Sequence, residues 1–560
     1  MAPIALANPP KPRRFTPRWS LAGVAIGCVG YAASLTPTLL PRTNFTQALA
    51  SSVTAVAGYA IGAISEAVVR AASDRVRRSR SLPPSPQRLS TKWRVVITGG
   101  LVVVAAAFTP WAVSAQVEQR AVMQVPGSAP NTAVAIVLSA VIFVVLLYLG
   151  RGVRRLTGRI SRRFDRRGWN VVAADGTAIV IIIVGLAIIV GAAYGGSLII
   201  FNRMNNAQPA AQTQPTSSLR SSGAGSPISW QSLGVQGRWF VSEGPTAARI
   251  GAVTGRPALE PIRTYAGIET NADAKARAQQ AVDDLVRAGG LDRERIVVYT
   301  PSTNGYVDAT ASAAAEYVAD GNIASVSMQY TILPSALSMV LDTAQSLDAG
   351  RYLLQAVTAA VDKLPPNKRP KLYVYGESLG AYGSLAPFDG VGVDGFHRLV
   401  TGAVWAGPPA NSAYWLQLNA QATAGPTWQP IVAGGSVIRY AANASGLDQP
   451  VAPWGQARGV FLQNATDPVV WWSPDLLFHR PGWLDDPRGP GVPAGMRWLP
   501  LVTYWQVFVD MPAAGAMPAG VGHNYEPSIG PAWTAVMQPA GWGAAQEARL
   551  QVALLGAANH

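Results

Sequence analysis

The chain has 560 residues, a formal net charge of +15 and one cysteine. That length exceeds one ordinary domain, and one cysteine with four histidines argues against a disulfide framework or a metal centre. Residues 1–203 carry 23 Lys and Arg against 5 acids, whereas the remainder carries 22 against 25. The basic character therefore sits beside the long apolar runs of the N-terminal third, which argues against nucleic-acid binding.

In chain order, five apolar runs come first: about Ser20–Leu40, Ala48–Val69, Val95–Ala115, Thr132–Leu149 and Thr177–Ile200. Each approaches the roughly 20 residues that cross a bilayer as a helix. Basic residues cluster before the first (Lys11, Arg13, Arg14, Arg18), between the second and third (eight, including Arg88), and between the fourth and fifth (eight, Arg151 to Arg167). The other two connections hold one Arg each, Arg42 and Arg120. Positive charge marks the cytoplasmic side. The pattern therefore predicts a membrane domain over 1–203, a cytoplasmic N-terminus and an extracytoplasmic remainder. The long first run followed by others does not read as a cleaved signal peptide. Gly23/Gly27, Gly58/Gly62 and Gly191/Gly195 have the spacing that lets helices approach closely. Glu66, the acid within a span, is expected to be solvated or paired with Arg near the interface.

Residues 204–227, rich in Gln, Pro, Ser, Ala and Gly from Gln208 on, read as a flexible linker. From 228 to 560 short apolar runs alternate with helical patterns. Asp273–Ala288 and Asp342–Leu364 read as helices. Arg295–Thr300, Ala324–Tyr330, Leu372–Tyr375, Gly402–Ala406, Gly459–Asn464 and Tyr504–Asp510 read as strands. That alternation predicts an α/β domain with a mostly parallel sheet.

The run Leu372–Tyr375 leads into Gly376-Glu377-Ser378-Leu379-Gly380, a G-x-S-x-G nucleophile elbow. A serine hydroxyl needs a base to take its proton, and a sharp strand-to-helix turn flanked by Gly376 and Gly380 would expose it. An acid and then a histidine should follow in the chain. Asp467 comes just after the Gly459–Asn464 strand; Asp475, Asp485, Asp486 and Asp510 are the other downstream candidates. Of the histidines, His397 precedes the acid, His479 lies in a Pro/Trp-rich stretch and His560 ends the sequence. His523 is therefore the expected general base, with Asp467 holding its tautomer. Two backbone N–H groups should face the oxyanion: Leu379 after the nucleophile, and Ser302 or Thr303 after the Arg295–Thr300 strand, because Pro301 has none to offer. Trp471 and Trp472 could line an apolar acyl or lipid pocket, sit at the membrane interface or pack in the core.

Gly237–Val241, Thr300–Asp308, Ser327–Tyr330, Gly376–Gly380, Asp467–Leu477, Pro487–Pro490 and Gly522-His523 together resemble a family of membrane-anchored α/β-hydrolase-domain proteins found mainly in actinobacteria. The resemblance covers nearly the whole chain and implies an α/β-hydrolase fold with Ser378, Asp467 and His523 as the triad. The chain departs from the family pattern at Asn304 and Tyr306, where glycine and tryptophan are usual. The expected function is a membrane-bound serine esterase acting on a lipid or cell-envelope ester, without metal or cofactor. The alternatives are an acyltransferase using the same acyl-enzyme, or a non-enzymatic envelope sensor or assembly protein on the same fold.

Overall fold

Seven runs rich in Val, Ile, Ala and Tyr pair into one all-parallel sheet in the computed structural model. The structure describes residues 19–81, 83, 89–167, 169–485 and 487–555. Lys11, Arg13, Arg14, Arg18, Arg88, Asp486 and His560 lie outside the described residues. The strands are β1 (Ile262–Ala266), β2 (Arg295–Thr300), β3 (Ile323–Met328), β4 (Lys371–Glu377), β5 (Gly402–Ala406), β6 (Ile438–Ala441) and β7 (Arg458–Leu462). Their order in the sheet is β1-β3-β2-β4-β5-β7-β6. Every residue of β1, β2, β3, β5 and β6 is buried, as a parallel sheet covered on both faces requires. The C-terminal ends of β2, β4, β5 and β7 are neighbours along one edge, where α/β sheets gather functional groups.

Two expectations for this region need correction. Tyr504–Asp510 is not a strand; it lies within the helix Val502–Asp510. Its buried positions include Thr503, Gln506, Val507 and Asp510, a helical spacing, while Tyr504, Trp505 and Phe508 make ring contacts with one another. A short apolar run does not distinguish strand from buried helix by pattern alone. The stretch expected to be a flexible linker is also tied down. Gln329 Nε2 donates to Asn205 Oδ1 (2.7 Å), Gln212 Nε2 to the Val235 carbonyl (2.8 Å) and Ser221 Oγ to Asp284 Oδ2 (2.5 Å). Ser221 also donates its backbone N–H to Arg263 of β1 (3.1 Å). Its polar side chains meet partners on the sheet domain that composition does not reveal.

The N-terminal helices are α1 (Leu21–Ser34), α2 (Asn44–Ser79), α3 (Thr91–Ala107), α4 (Thr109–Val122), α5 (Thr132–Asp165) and α6 (Val171–Asn206). Among the described residues, four stretches are long and apolar enough to cross a membrane: α2, the α3–α4 stretch Thr91–Val122, Thr132–Phe164 and Ala173–Asn206. The first expected span is shorter. Helix α1 has 14 residues, roughly 21 Å at about 1.5 Å each. Helices α1 and α2 meet through their glycines: a Cβ on Gly62 would lie 2.4 Å from the Ala22 carbonyl oxygen, and one on Gly58 2.5 Å from that of Ile26. A Cβ on Gly191 or Gly195 would meet nothing within 4 Å. Glu66 pairs with Arg70 and accepts from Ser20 Oγ.

The chain divides into two compact units. One contains the described residues through Thr36, Asn44–Ser114 and Pro130–Leu149; the other contains Pro37–Thr43, Ala115–Ala129 and Gly150 onward. The sheet unit thus includes two short segments from among the apolar helices. In it, Leu39 and Leu40 join the hydrophobic core. Arg42, 2 % exposed, pairs through Nε with Asp510 Oδ1 at 3.0 Å, and Thr38 Oγ1 donates to Asp510 Oδ2 at 2.6 Å. Gln119 Nε2 donates to the Thr38 carbonyl (2.8 Å) and Arg120 Nη2 to that of Arg42 (2.8 Å).

Candidate active site

Strand β4 ends in a turn that side chains would normally resist. Ser378 has φ +56° and ψ −126° and begins the helix Leu379–Leu385. Such a conformation costs energy in a non-glycine residue and is held only by its surroundings. Here Ser378 N–H donates to the Ala406 carbonyl (2.9 Å) at the end of β5. A Cβ on Gly376 would lie 2.4 Å from the Gly380 carbonyl oxygen, and one on Gly380 2.4 Å from that of Thr300. The two glycines therefore let the strand, the helix and the loop after β2 approach backbone to backbone.

That approach brings the β2 loop beside Leu379, whose N–H opens the helix and has no intrahelical acceptor. The loop distinguishes the two expected donors. Ser302 N–H is engaged with the Tyr306 carbonyl at 2.8 Å, so Ser302 is unsuited to face an oxyanion. Thr303 is buried and left-handed (φ +48°), with its N–H near the Tyr330 hydroxyl.

Asp467, fully buried, follows β7 and caps the short helix Pro468–Trp471. Its Oδ1 accepts from Val469 N–H (2.8 Å). Its Oδ2 accepts from Tyr525 Oη (2.5 Å) and contacts His523 Nδ1 (2.6 Å). The loop Gly522–Tyr525 is fastened to the end of β7. Asn464 Nδ2 donates to the carbonyls of Gly522 (2.9 Å) and Asn524 (3.1 Å), and Gly522 N–H donates to Thr466 Oγ1 (3.0 Å). His523 N–H is held by the Ala514 carbonyl (2.9 Å). His523 Nε2 is buried and has no hydrogen-bond partner among the described residues. Its imidazole lies against Gly407, where a Cβ would be 2.3 Å from Cε1. Gly407 directly follows Ala406, which holds Ser378, so serine and histidine lie against adjacent residues of one strand end. Burial alone would depress His523; the adjoining Asp467 carboxylate, helped by Glu377, more than offsets it and raises the imidazole above its ordinary 6.5.

The sequence model of the alpha/beta-hydrolase family matches residues 262–550, and that of the family's N-terminus matches residues 35–245. The chain belongs to the alpha/beta-hydrolase family. No curated protein and no solved structure matches it.

The other candidate acids and histidines lie elsewhere. His397 and His479 are exposed. Asp510 is committed to Arg42 and Thr38, and Asp485 pairs with Arg480 (2.9 Å). Asp475 N-terminally flanks the turn to Phe478, whose N–H bonds its carbonyl (3.0 Å). Trp471 packs in the core against Trp415 and Trp483, its Nε1 donating to the Asn464 carbonyl (3.1 Å). Trp472 instead meets Tyr504 and Phe508 in a partly exposed aromatic cluster. Sequence reasoning did not single out Tyr525, Asn464, Gly407 or Glu377. Tyr525, two residues beyond the histidine, carried the best available signal.

Glu377, the residue immediately before the elbow serine, accepts from Tyr375 Oη (3.2 Å). Burial and the charge of Asp308 push its carboxyl up to about 8. Burial likewise lifts Asp308 to about 6, with Glu526 adding to the shift and the Ala311 N–H opposing it. A carboxyl whose folded value lies above its unfolded value holds its proton more tightly in the folded state. Its unfavourable contribution therefore grows as pH rises from the ordinary 4.5 towards 8. Glu377→Gln should raise the melting temperature near pH 9 and leave it almost unchanged at about pH 5. Thermal unfolding at the two pH values checks this; an equal gain at both would contradict it.

Proposed function

We propose that the hydrolase is a membrane-bound serine esterase that cleaves a lipid or cell-envelope ester outside the cytoplasmic membrane. The observation that carries the reading is the 2.6 Å contact of His523 Nδ1 with buried Asp467, with Nε2 left unpartnered among the described residues. In this mechanism His523 Nε2 takes the proton of Ser378 Oγ as the oxygen attacks the ester carbonyl. The N–H of Leu379, joined by that of Thr303 once it leaves the Tyr330 hydroxyl, receives the charge that develops on the carbonyl oxygen. Histidine returns the proton to the departing alcohol, leaving an acyl-serine. Water, deprotonated by the same nitrogen, then releases the acid. Four long apolar helices support a membrane anchor. The basic connections support a cytoplasmic N-terminus if the short α1 also crosses.

The test is labelling by a charged, membrane-impermeant fluorophosphonate, in intact cells and in opened membranes. Wild type should label in both, at a rate that climbs with pH through a midpoint above 6.5. Ser378→Ala and His523→Ala should abolish labelling. Undiminished labelling of Ser378→Ala would sink the assignment of the nucleophile. Labelling only after the membranes are opened would overturn the orientation.

A further inference from the structure

We propose that Tyr525 is a positioning residue for the general base: by sharing Asp467 Oδ2 with His523, its hydroxyl sets how much carboxylate charge the imidazole feels. The proposal rests on the serine-esterase reading. Three observations carry it. Tyr525 Oη and His523 Nδ1 converge on one oxygen, at 2.5 and 2.6 Å, while Val469 N–H occupies the other. The phenol is 2 % exposed and held in place: Asn464 N–H donates to Tyr525 Oη (3.3 Å), leaving its proton for Asp467. Its ring also meets the imidazole edge to face, with centroids 5.5 Å apart.

These contacts make Tyr525 more than packing. Burial, followed by the Asp467 charge, pushes the phenol well above its ordinary 10, so it remains a donor throughout the working range. A donor on Oδ2 draws the negative charge away from the imidazole. It therefore weakens the stabilisation of the imidazolium and keeps the base in its neutral, reactive form to lower pH. The charge of Glu377, at the end of β4, acts on His523, that of Asp308 on Glu377, and that of Glu526 on Asp308.

The experiment measures the fluorophosphonate labelling rate of the full-length protein in membranes as a function of pH. Tyr525→Phe removes only the hydroxyl and should move the acid limb upward by on the order of half a unit to one unit. Tyr525→3-fluorotyrosine keeps the shape, makes the phenol a stronger donor, and should move the limb downward. This second variant decides the matter if Tyr525→Phe does not fold. A limb that stays fixed while the rate falls equally at every pH would mean a merely structural role and overturn the proposal. Wild type that does not label at all would overturn both this inference and the esterase reading; labelled wild type with an unmoved limb would overturn this inference alone.

Discussion

Arg42→Ala is expected to destabilise the sheet unit by about 3–5 kcal/mol, because it strands a buried carboxylate. Arg42 and Asp510 are each 2 % exposed and meet at 3.0 Å. Burial raises the Asp510 carboxyl above its ordinary 3.8, against the opposing pull of Arg42 and Thr38. Without the guanidinium, Thr38 Oγ1 is a poor substitute for a charge. Raised folded values favour the protonated acid, so the loss should be largest near neutral pH and shrink as Asp510 protonates on acidification. The pair also gives a control. Arg42→Met with Asp510→Leu removes both charges and should recover most of the loss, because well-packed apolar replacements avoid the desolvation cost. Unfolding in detergent, followed by tryptophan fluorescence, measures all three proteins. Equal destabilisation by the single and double variants would mean that packing, not charge, holds the segment. The same contact predicts that residues 228–560 expressed alone will be unstable, since they leave Asp510 and the Leu39–Leu40 site open.

Gly407→Ala should cost about 100-fold or more in fluorophosphonate labelling while leaving the fold intact. Gly407 has φ +55°, a left-handed conformation that costs an alanine about 1–2 kcal/mol. The added methyl would also lie 2.3 Å from His523 Cε1 and 2.6 Å from Nδ1. Backbone relief is limited, because Gly407 N–H is bonded to the Leu462 carbonyl at 2.8 Å. The imidazole must move, and a displacement of about 1 Å in a catalytic group is worth on the order of 100-fold in rate. Gly434→Ala separates strain from collision. It shares the positive φ (+63°) but has nothing within 4 Å of its added carbon, so it should label like wild type. Comparable losses in both variants would place the effect in backbone strain alone.

The parts of the fold that could be read in advance have a strong local pattern. Strands β2, β3, β4, β5 and β7 are largely apolar runs near turn residues, and their sequence marks them to within a few residues. Strands β1 and β6 escaped notice: they are five and four residues long, and each carries an arginine in its interior. Arg263 is neutralised by Glu316 of a distant helix (2.6 Å), and Arg439 donates hydrogen bonds to the carbonyls of Gly435, Leu447 and Ala452. Such compensation is tertiary and leaves no mark beside the residue. The helix Val502–Asp510 was misread for a related reason, since its direction is set by what Gln506 and Asp510 bury against. At the site, Ser378, Asp467 and His523 stood out because histidines are scarce and the chain order is restrictive. Tyr525 and Gly407 did not, because their roles arise from distances to His523 and Asp467 across the sheet edge.

The Arg42–Asp510 contact also constrains the order in which the protein is made. Its partners are 468 positions apart, which at about 5–20 residues per second is roughly 25–90 s of synthesis. Throughout that interval Pro37–Thr43 has emerged between two apolar helices, while the surface that will enclose it does not yet exist. The sheet unit can therefore reach its final form only near the end of translation. A stop or stall before Asp510 would leave Leu39, Leu40 and Arg42 exposed to the cell's quality-control machinery.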